Sequence, residues 1–305
     1  MKTSFFKKLM KYKLLLLMLL PAVLYFIVFN YLPMAGVIVA FKRFDYRGGI
    51  FGSPWIGFEN FKFLFINGDI FRVAKNTVLY NAGFIIINNT LQIAVAIMLT
   101  ELAGKYFKKI TQTVMFLPYF ISWVVVGAFV YNIFSYEYGF LNNFLKTLSI
   151  EPVNVYDKPV VWVFIIFFFS FWKSIGYGTV MYLAAIAGID REMYEAADID
   201  GCNIFQRILH ITLPSLIPTV IILVLLSIGN IFRGDFSMFY QIVGQNSLVY
   251  SHTDVIDTFV TRSLMETREF GMTSAAGLIQ SVLCFFIINL ANLAVRKYDK
   301  GYALY

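Results

Sequence analysis

Charge is scarce in this chain: 14% of its 305 residues are Asp, Glu, Lys or Arg, too few to solvate the surface of a water-soluble domain of this size. Cysteine and histidine are scarcer still, at two each. Cys202 falls in a polar loop and Cys284 inside the last apolar run, so they cannot meet and no disulfide framework is expected. His210 and His252 fall in segments expected on opposite sides of a membrane, so no metal site is expected. The phosphate-cradling pattern G-x-x-x-x-G-K-[ST] is missing, and the one Gly-Lys pair, Gly104-Lys105, lacks the rest of it. Any nucleotide hydrolysis must then be done by another polypeptide. No nucleophile–base constellation occurs, so no catalytic residue is assigned and an enzyme is the weaker class. Short-period repeats and low-complexity linkers are also missing.

What is present is apolar: 59% of residues are hydrophobic and mean hydropathy is +0.71. A helix needs about 20 apolar residues to cross a bilayer core, and in lipid the backbone must satisfy its own hydrogen bonds, so such runs read as helices. Six spans are predicted, over 14–40, 77–103, 114–134, 160–189, 213–234 and 274–296, in an all-α integral membrane protein. The first is overlong and carries Pro21 and Pro33, which predicts a kink or an early end. Six spans leave both termini on one side. That side carries 13 Lys and Arg against 7 Asp and Glu, whereas the rest of the chain carries 12 against 11. The termini are therefore expected in the cytoplasm of a multi-pass plasma-membrane protein, and the net charge of +7 reflects topology rather than nucleic-acid binding. The start, MKTSFFKKLMKYK, has no A-x-A site and runs into too long an apolar stretch for a signal peptide. Residues 1–13 are read as a basic amphipathic anchor at the inner surface.

Three outer segments remain. Residues 41–76 hold a Gly/Pro turn region and a short amphipathic stretch, GGIFGSPWIGFENFKFLF. Residues 135–159 are polar and carry Pro152 and Pro159. In 236–273, apolar residues recur at three- and four-residue steps between Val255 and Met265, which predicts a helix at the outer mouth. None is large enough for an independent domain, so 1–305 is taken as one transmembrane domain with its core over about 77–296.

One inner loop, 190–213, is charged and helix-forming. Asp190 is placed to cap a helix running to about Ile199, and Gly201 supplies the position where it stops. Asn203 and Gln206 make a capping-box start for a second, short helix, which Pro214 and Pro218 are expected to close before the next span. Ala196, Ala197 and Gly201 keep one surface thin enough for close packing on another protein. Glu195-Ala196-Ala197, then Asp200-Gly201, then Ile211-x-Leu213-Pro214 resembles the EAA motif of permease subunits of binding-protein-dependent ABC importers. Cys202 departs mildly, since a small alanine is usual there. The segments WKSIGYG, YLAAIAGIDREMYEAADIDG, LPMAGVIVAFKRFD and SPWIGFENF are similar to the carbohydrate-uptake branch, closest to permeases for complex oligosaccharides.

That resemblance implies a type I ABC importer permease fold in a prokaryotic cell membrane. It implies one half of a heterodimeric pathway, built with a second EAA-type permease, two nucleotide-binding ATPase subunits and an extracellular solute-binding protein that delivers an oligosaccharide. ATP and Mg would be bound by the ATPases, with no cofactor in this chain and no nucleic acid as partner. The motif loop would be the coupling helix that docks in the ATPase. Its expected coupling residues are Glu195, Ala196, Ala197, Asp200, Gly201, Ile211, Leu213 and Pro214.

A sugar site needs hydrogen-bonding groups and aromatic faces at membrane depth, where polar side chains are costly and tend to face a pathway. Asn88, Asn89 and Trp123 fit that description and fit interhelix contacts equally well. The substrate-pathway set is Trp172, Lys173, Ser174 and Tyr177 in span four with Ser227, Asn230 and Arg233 in span five. Tyr177 and Ser227 fall at the family's pathway positions with matching residue types, and Asn230 lies one position off. Lys173 also reads as a packing charge, and Arg233 as a partner for Asp235. Two rival functions remain: an importer of a peptide or phosphate ester, and a six-span ion-coupled transporter or channel. The last expects buried carboxylates, and spans one to three and six hold only Glu101, at an inner end.

Overall fold

The computed structural model describes residues 11–66, 68–102 and 104–305. The expected anchor over 1–13 lies almost wholly outside them. Among the described residues the chain is helical, with no strand beyond an isolated bridge between Lys42 and Trp55. Five helices are long and apolar enough to cross a membrane, and a sixth span is made by a bent pair. The residues group into two compact units, one of residues up to 67 with 263–279, the other of 68–262 with 280–305.

In the first unit, Lys13–Phe41 is continuous. It is not cut short at Pro21, which sits inside the α-helical part ending at Phe26. The chain passes instead through a π-segment, Ile27–Tyr31, into a 3-10 segment that admits Pro33 near its start. Wider and narrower turns supply the places where a missing N–H is tolerated. Beyond it, the two motifs near the start lock together. Ile56 N–H donates to Phe41 O and Arg43 N–H to Pro54 O, while the Phe41 and Trp55 rings stack 5.7 Å apart. Asn60 donates to the Ala40 and Lys42 carbonyls, and Lys42 Nζ caps the short helix Gly49–Gly52 through the Ile50 and Phe51 carbonyls.

The second unit holds the helices between 68 and 262 and the last span from 280 onward. Span two begins at Asp69, well before residue 77, because a polar first turn with an Arg72–Asp69 ion pair extends it beyond the apolar run. Span four is Pro159–Ala187 and packs along span two. Gly83 faces the Phe167 ring and Gly178 faces the Gln92 amide so closely that a Cβ at either would collide. Trp162, Ile166, Val126, Val130 and Phe239 fill the core between spans three and four and a later helix.

Two expectations about spans are corrected. Residues 114–134 are not one straight span, and 104–113 is not a loop. Lys105–Phe120 and Trp123–Phe134 are helical and meet at 94°. Pro118 cannot donate to the preceding turn, and Ser122 starts the second half by accepting from Val125 N–H. The predicted second span-opening is also different. Pro214 and Pro218 do not close the helix begun at Ile204, which runs unbroken to Ile228. A π-segment, Ile208–Thr212, widens the turn before Pro214, so the missing N–H causes no break. Span five then ends at Ile228 rather than 234. The chain turns through 229–235 into a helix, Phe236–Val243, in a segment read only as loop. Met238, Phe239, Ile242 and Val243 are its buried face. Asp235, which caps it, followed by that i, i+1, i+4, i+5 apolar spacing, was the available signal. The helix expected between Val255 and Met265 is present as Ile256–Thr267.

Candidate functional site

The inner loop folds as a self-contained elbow. Asp190 accepts from Glu192 N–H and starts the helix Arg191–Ile199. That helix ends in a Schellman pair, with Cys202 N–H donating to Ala197 O and Gly201 N–H to Asp198 O. The pair needs a left-handed residue, and Gly201 has φ +75°. Asn203 and Gln206 form the reciprocal capping box of the next helix. Arg207 crosses the elbow, 2.6 Å from Asp198 and 3.8 Å from Glu101 at the end of span two. The Tyr194 and Thr212 hydroxyls, 2.9 Å apart, add a further tie.

With its own backbone satisfied, the elbow turns apolar and acidic groups outward. Ile199 is 87% and Phe205 79% exposed, and Met193, Glu195, Ala196, Asp200 and Gly201 are exposed beside them. Ala197 is buried within the chain. Leu213 and Pro214 are exposed and Ile211 half-buried on the continuous helix above. Among the described residues, nothing beyond its chain neighbours lies within 4 Å of where a Cβ at Gly201 would stand.

A second feature lies at membrane depth. Spans two, four and five enclose an open chamber of about 460 Å³. Of the pathway set, Ser174, Tyr177, Ser227 and Asn230 line it, together with Asn88 and Asn89. The structure adds Asn81 and Gln92, which the sequence reading passed over. Their spacing from Asn88 and Asn89 at steps of seven and three is one helical face and could have found them. No Asp, Glu, Lys or Arg lines this chamber. Tyr119, from the bent span, stacks on Tyr177 with ring centres 5.0 Å apart and planes 12° apart. Both rings are about half exposed, at 44% and 48%. No local signal marks Tyr119, because the contact depends on the bend.

Long-range hydrogen bonds hold the chamber. Tyr182 O–H donates to Asn89 Oδ1 at 2.5 Å and Gln92 to Ser174 O at 3.2 Å, both joining spans two and four. Asn81 donates to the Ile231 and Arg233 carbonyls, fixing the turn above span five. Asp257 accepts from Gly234 N–H in the same turn and from Gln280, which also donates to Phe232 O. Burial pushes the Asp257 carboxyl above the usual carboxylate range, against the opposing pull of these donors.

The other three pathway candidates sit elsewhere. Trp172 packs on the core beside Phe169. Lys173 turns to the bend, where its ammonium donates to the Pro118 carbonyl at 3.3 Å, to Tyr119 at 2.7 Å and to Ile121. It also lies over the Trp123 and Tyr119 rings. It thus supplies the carbonyls of a helix end inside the membrane with the donors they lack. Arg233 reaches Ser281 at 3.4 Å and does not pair with Asp235. Asp235 instead accepts from Trp123 Nε1 and caps the helix Phe236–Val243. Among the described residues, no group of His, Cys, Asp or Glu is placed to hold a metal ion.

The chain is similar to known proteins over almost its whole length. Residues 92–300 match the family model of binding-protein-dependent transport system inner membrane components. The chain is 35% identical to Protein LplB of Bacillus subtilis (strain 168), over 94% of this chain and 90% of that protein. It is 30% identical to the polygalacturonan/rhamnogalacturonan transport system permease protein YteP of the same organism, over 96% and 91%. A solved chain from a bacterial ABC transporter that imports the acidic polysaccharide alginate superposes with TM-score 0.87 at 31% identity, over 97% of this chain and all of that one. A second structure of a bacterial alginate ABC transporter, in complex with an alginate pentasaccharide-bound periplasmic protein, gives 0.86 at 30%, over 98% and 99%.

Proposed function

Since this chain belongs to the family of binding-protein-dependent transport system inner membrane components, we propose that it is a permease subunit of an ATP-driven importer of oligosaccharides. It forms one half of the translocation pathway, paired with a second permease of the same kind. An extracellular solute-binding protein hands over the sugar, and two ATPase subunits bind ATP and Mg on the inner side. Both termini lie in the cytoplasm.

The chamber carries this reading. Its lining offers amides, hydroxyls and the Tyr177 ring, backed by Tyr119, with no charged side chain. Aromatic faces suit the C–H patches of a pyranose and the polar groups suit its hydroxyls. A phosphate ester would call for cationic donors there. The elbow supplies the second half of the function. Its outward Glu195, Ala196, Ile199, Asp200, Gly201 and Phe205 form a mixed apolar and acidic surface for a groove on the ATPase. The helix continuous from Ile204 to Ile228 joins that surface to the chamber wall, so motion at one end reaches Ser227 at the other.

The test is reconstitution in proteoliposomes with the partner permease, ATPases and binding protein. ATP-dependent uptake is measured for alginate, polygalacturonan, arabinan and chitin oligosaccharides, beside a peptide and a hexose phosphate. Uptake of an oligosaccharide alone supports the assignment, and uptake of the peptide or phosphate alone would overturn it. The purified chain by itself hydrolyses no ATP. Activity above contaminant level in the lone chain would contradict the separate-ATPase architecture.

A further inference from the structure

The amides around the chamber are not equivalent. Asn89 is consumed on both sides, donating to Ile85 O and accepting from Tyr182 O–H. Gln92 donates to Ser174 O and Asn81 to the turn at 231–233. Asn230 donates to Leu226 O, and Ser227 and Ser174 return their hydroxyl protons to their own helix. Asn88 is the amide lining the chamber whose side chain meets no partner in the protein, although it is half-buried at membrane depth. An unpaired carboxamide is costly in such a place unless water or a ligand satisfies it. An amide serving only to join helices would show a bond like that of Asn89.

We infer that Asn88 is the residue that selects the glycosyl unit in this chamber, by donating to one ring hydroxyl through Nδ2 and accepting from its neighbour through Oδ1. This rests on the oligosaccharide reading above. The planar carboxamide presents a donor and an acceptor side by side, which suits two adjacent free hydroxyls on a pyranose. Tyr177, across the chamber on span four, has a hydroxyl with no protein partner and a half-exposed ring, so it supports the sugar from the facing side. A site built around hydrogen bonds rejects a substrate lacking them, because its polar groups are then left unpaired.

The experiment uses the complete transporter in proteoliposomes, with a neutral galactan trisaccharide and its 2-O-methylated derivative as probes. The unaltered complex takes up the free-hydroxyl probe faster, by on the order of tenfold. Asn88→Ala brings that ratio close to unity by raising KM for the free probe alone. Asn88→Asp, which keeps the acceptor and loses the donor, falls between. Equal loss of both probes in Asn88→Ala would mean a structural role and overturn the inference. A second measurement does not depend on the sugar. In a background with Cys202 and Cys284 replaced by serine, Asn88→Cys reacts with a charged methanethiosulfonate while Ile166→Cys, fully buried in the core, does not. If the complex transports neither probe, the same comparison is made with an oligosaccharide it does take up and the 2-O-methylated derivative of that sugar, and a ratio unchanged in Asn88→Ala overturns the inference. An unreactive thiol at 88 in both nucleotide-free and nucleotide-trapped complexes removes it from any aqueous path.

Discussion

The helix ends of the elbow and the walls of the chamber are held together in opposite ways. Every bond shaping the elbow's two helix ends spans five residues or fewer, from Asp190–Glu192 through Cys202–Ala197 to Asn203–Gln206. The chamber's bonds join residues 82 apart in Gln92–Ser174, 93 in Tyr182–Asn89 and 152 in Asn81–Arg233. On the proposed function, the surface offered to the ATPase is preformed locally, and the cavity that opens and closes is assembled from groups carried on separate helices. Local bonds keep their geometry when helices move, whereas cross-helix bonds are the ones alternating access has to exchange. The elbow should fail all at once at a single residue, and the chamber should fail by degrees.

The largest effect is expected at Gly201. Its φ of +75° costs a residue with a Cβ roughly 1–2 kcal/mol, while the chain itself leaves the space beside it open. Gly201→Ala should lose no more than that strain if nothing else comes near. Gly201→Asp adds a second carboxylate beside Asp200, and should abolish uptake and ATPase co-purification while the membrane part stays folded. Normal transport by the Asp variant would show that the elbow meets no partner here.

Next is Lys173. Its ammonium serves three carbonyls at the 94° bend, and hydrogen bonds to charged groups are worth about 1.5–3 kcal/mol each when lost. Lys173→Met should lower the thermal midpoint of the purified complex by several degrees. Lys173→Arg should recover part of it. Because Tyr119 leaves the bend and stacks on Tyr177, the Met variant should also raise KM for sugar. An unchanged midpoint would mean the bend is set by Pro118 and Ser122 alone.

These two residues also show what the sequence discloses. Gly201, Asp190, Asn203 and Gln206 were readable because each acts on neighbours within a turn, and caps and left-handed stops have fixed residue preferences. The membrane spans were readable from apolar length. The bend was not, since Pro118 looks like any tolerated membrane proline and the residue that completes it lies 55 positions away. Lys173 in an apolar helix was visible as an anomaly, but its target was not. The chamber was half visible. Ser174, Tyr177, Ser227 and Asn230 were found on the helices flanking the elbow, whereas Tyr119 entered only through the bend. The helix Phe236–Val243 offered only the Asp235 cap and two apolar pairs four residues apart, a signal easily passed over in so short a segment.

A smaller effect is expected at Tyr177. Losing its ring face and hydroxyl removes about 0.5–1.5 kcal/mol per hydrogen bond, so Tyr177→Ala should cut uptake roughly two- to tenfold through KM. Phe168→Ala is the control, since Phe168 is 58% exposed on span four and lines no cavity described here. Equal losses in both variants would mean that bulk on the helix, rather than the chamber, sets uptake.

The smallest effect concerns the roof of the chamber, and it is a pH effect. Asp257 holds the 229–235 turn through Gly234 N–H while Gln280 braces both. Burial raises its carboxyl above the unfolded value, so the folded state binds the extra proton more readily than the unfolded one. Stability from this group is then fully present below the ordinary carboxylate range. It is lost as pH rises through the raised folded value. The sign is opposite to that of a carboxylate stabilised by a cation. Wild-type complex should therefore lose slightly more stability than Asp257→Asn between mildly acidic and neutral pH, when their thermal midpoints are compared. Asparagine keeps the acceptor for Gly234 without the charge, so its midpoint should not carry this slope. The roof bonds are cross-helix ones, and only a partial loss is expected. If Asp257→Asn instead collapses the complex at every pH, the turn depends on one contact as the elbow does, and the contrast between the two regions does not hold.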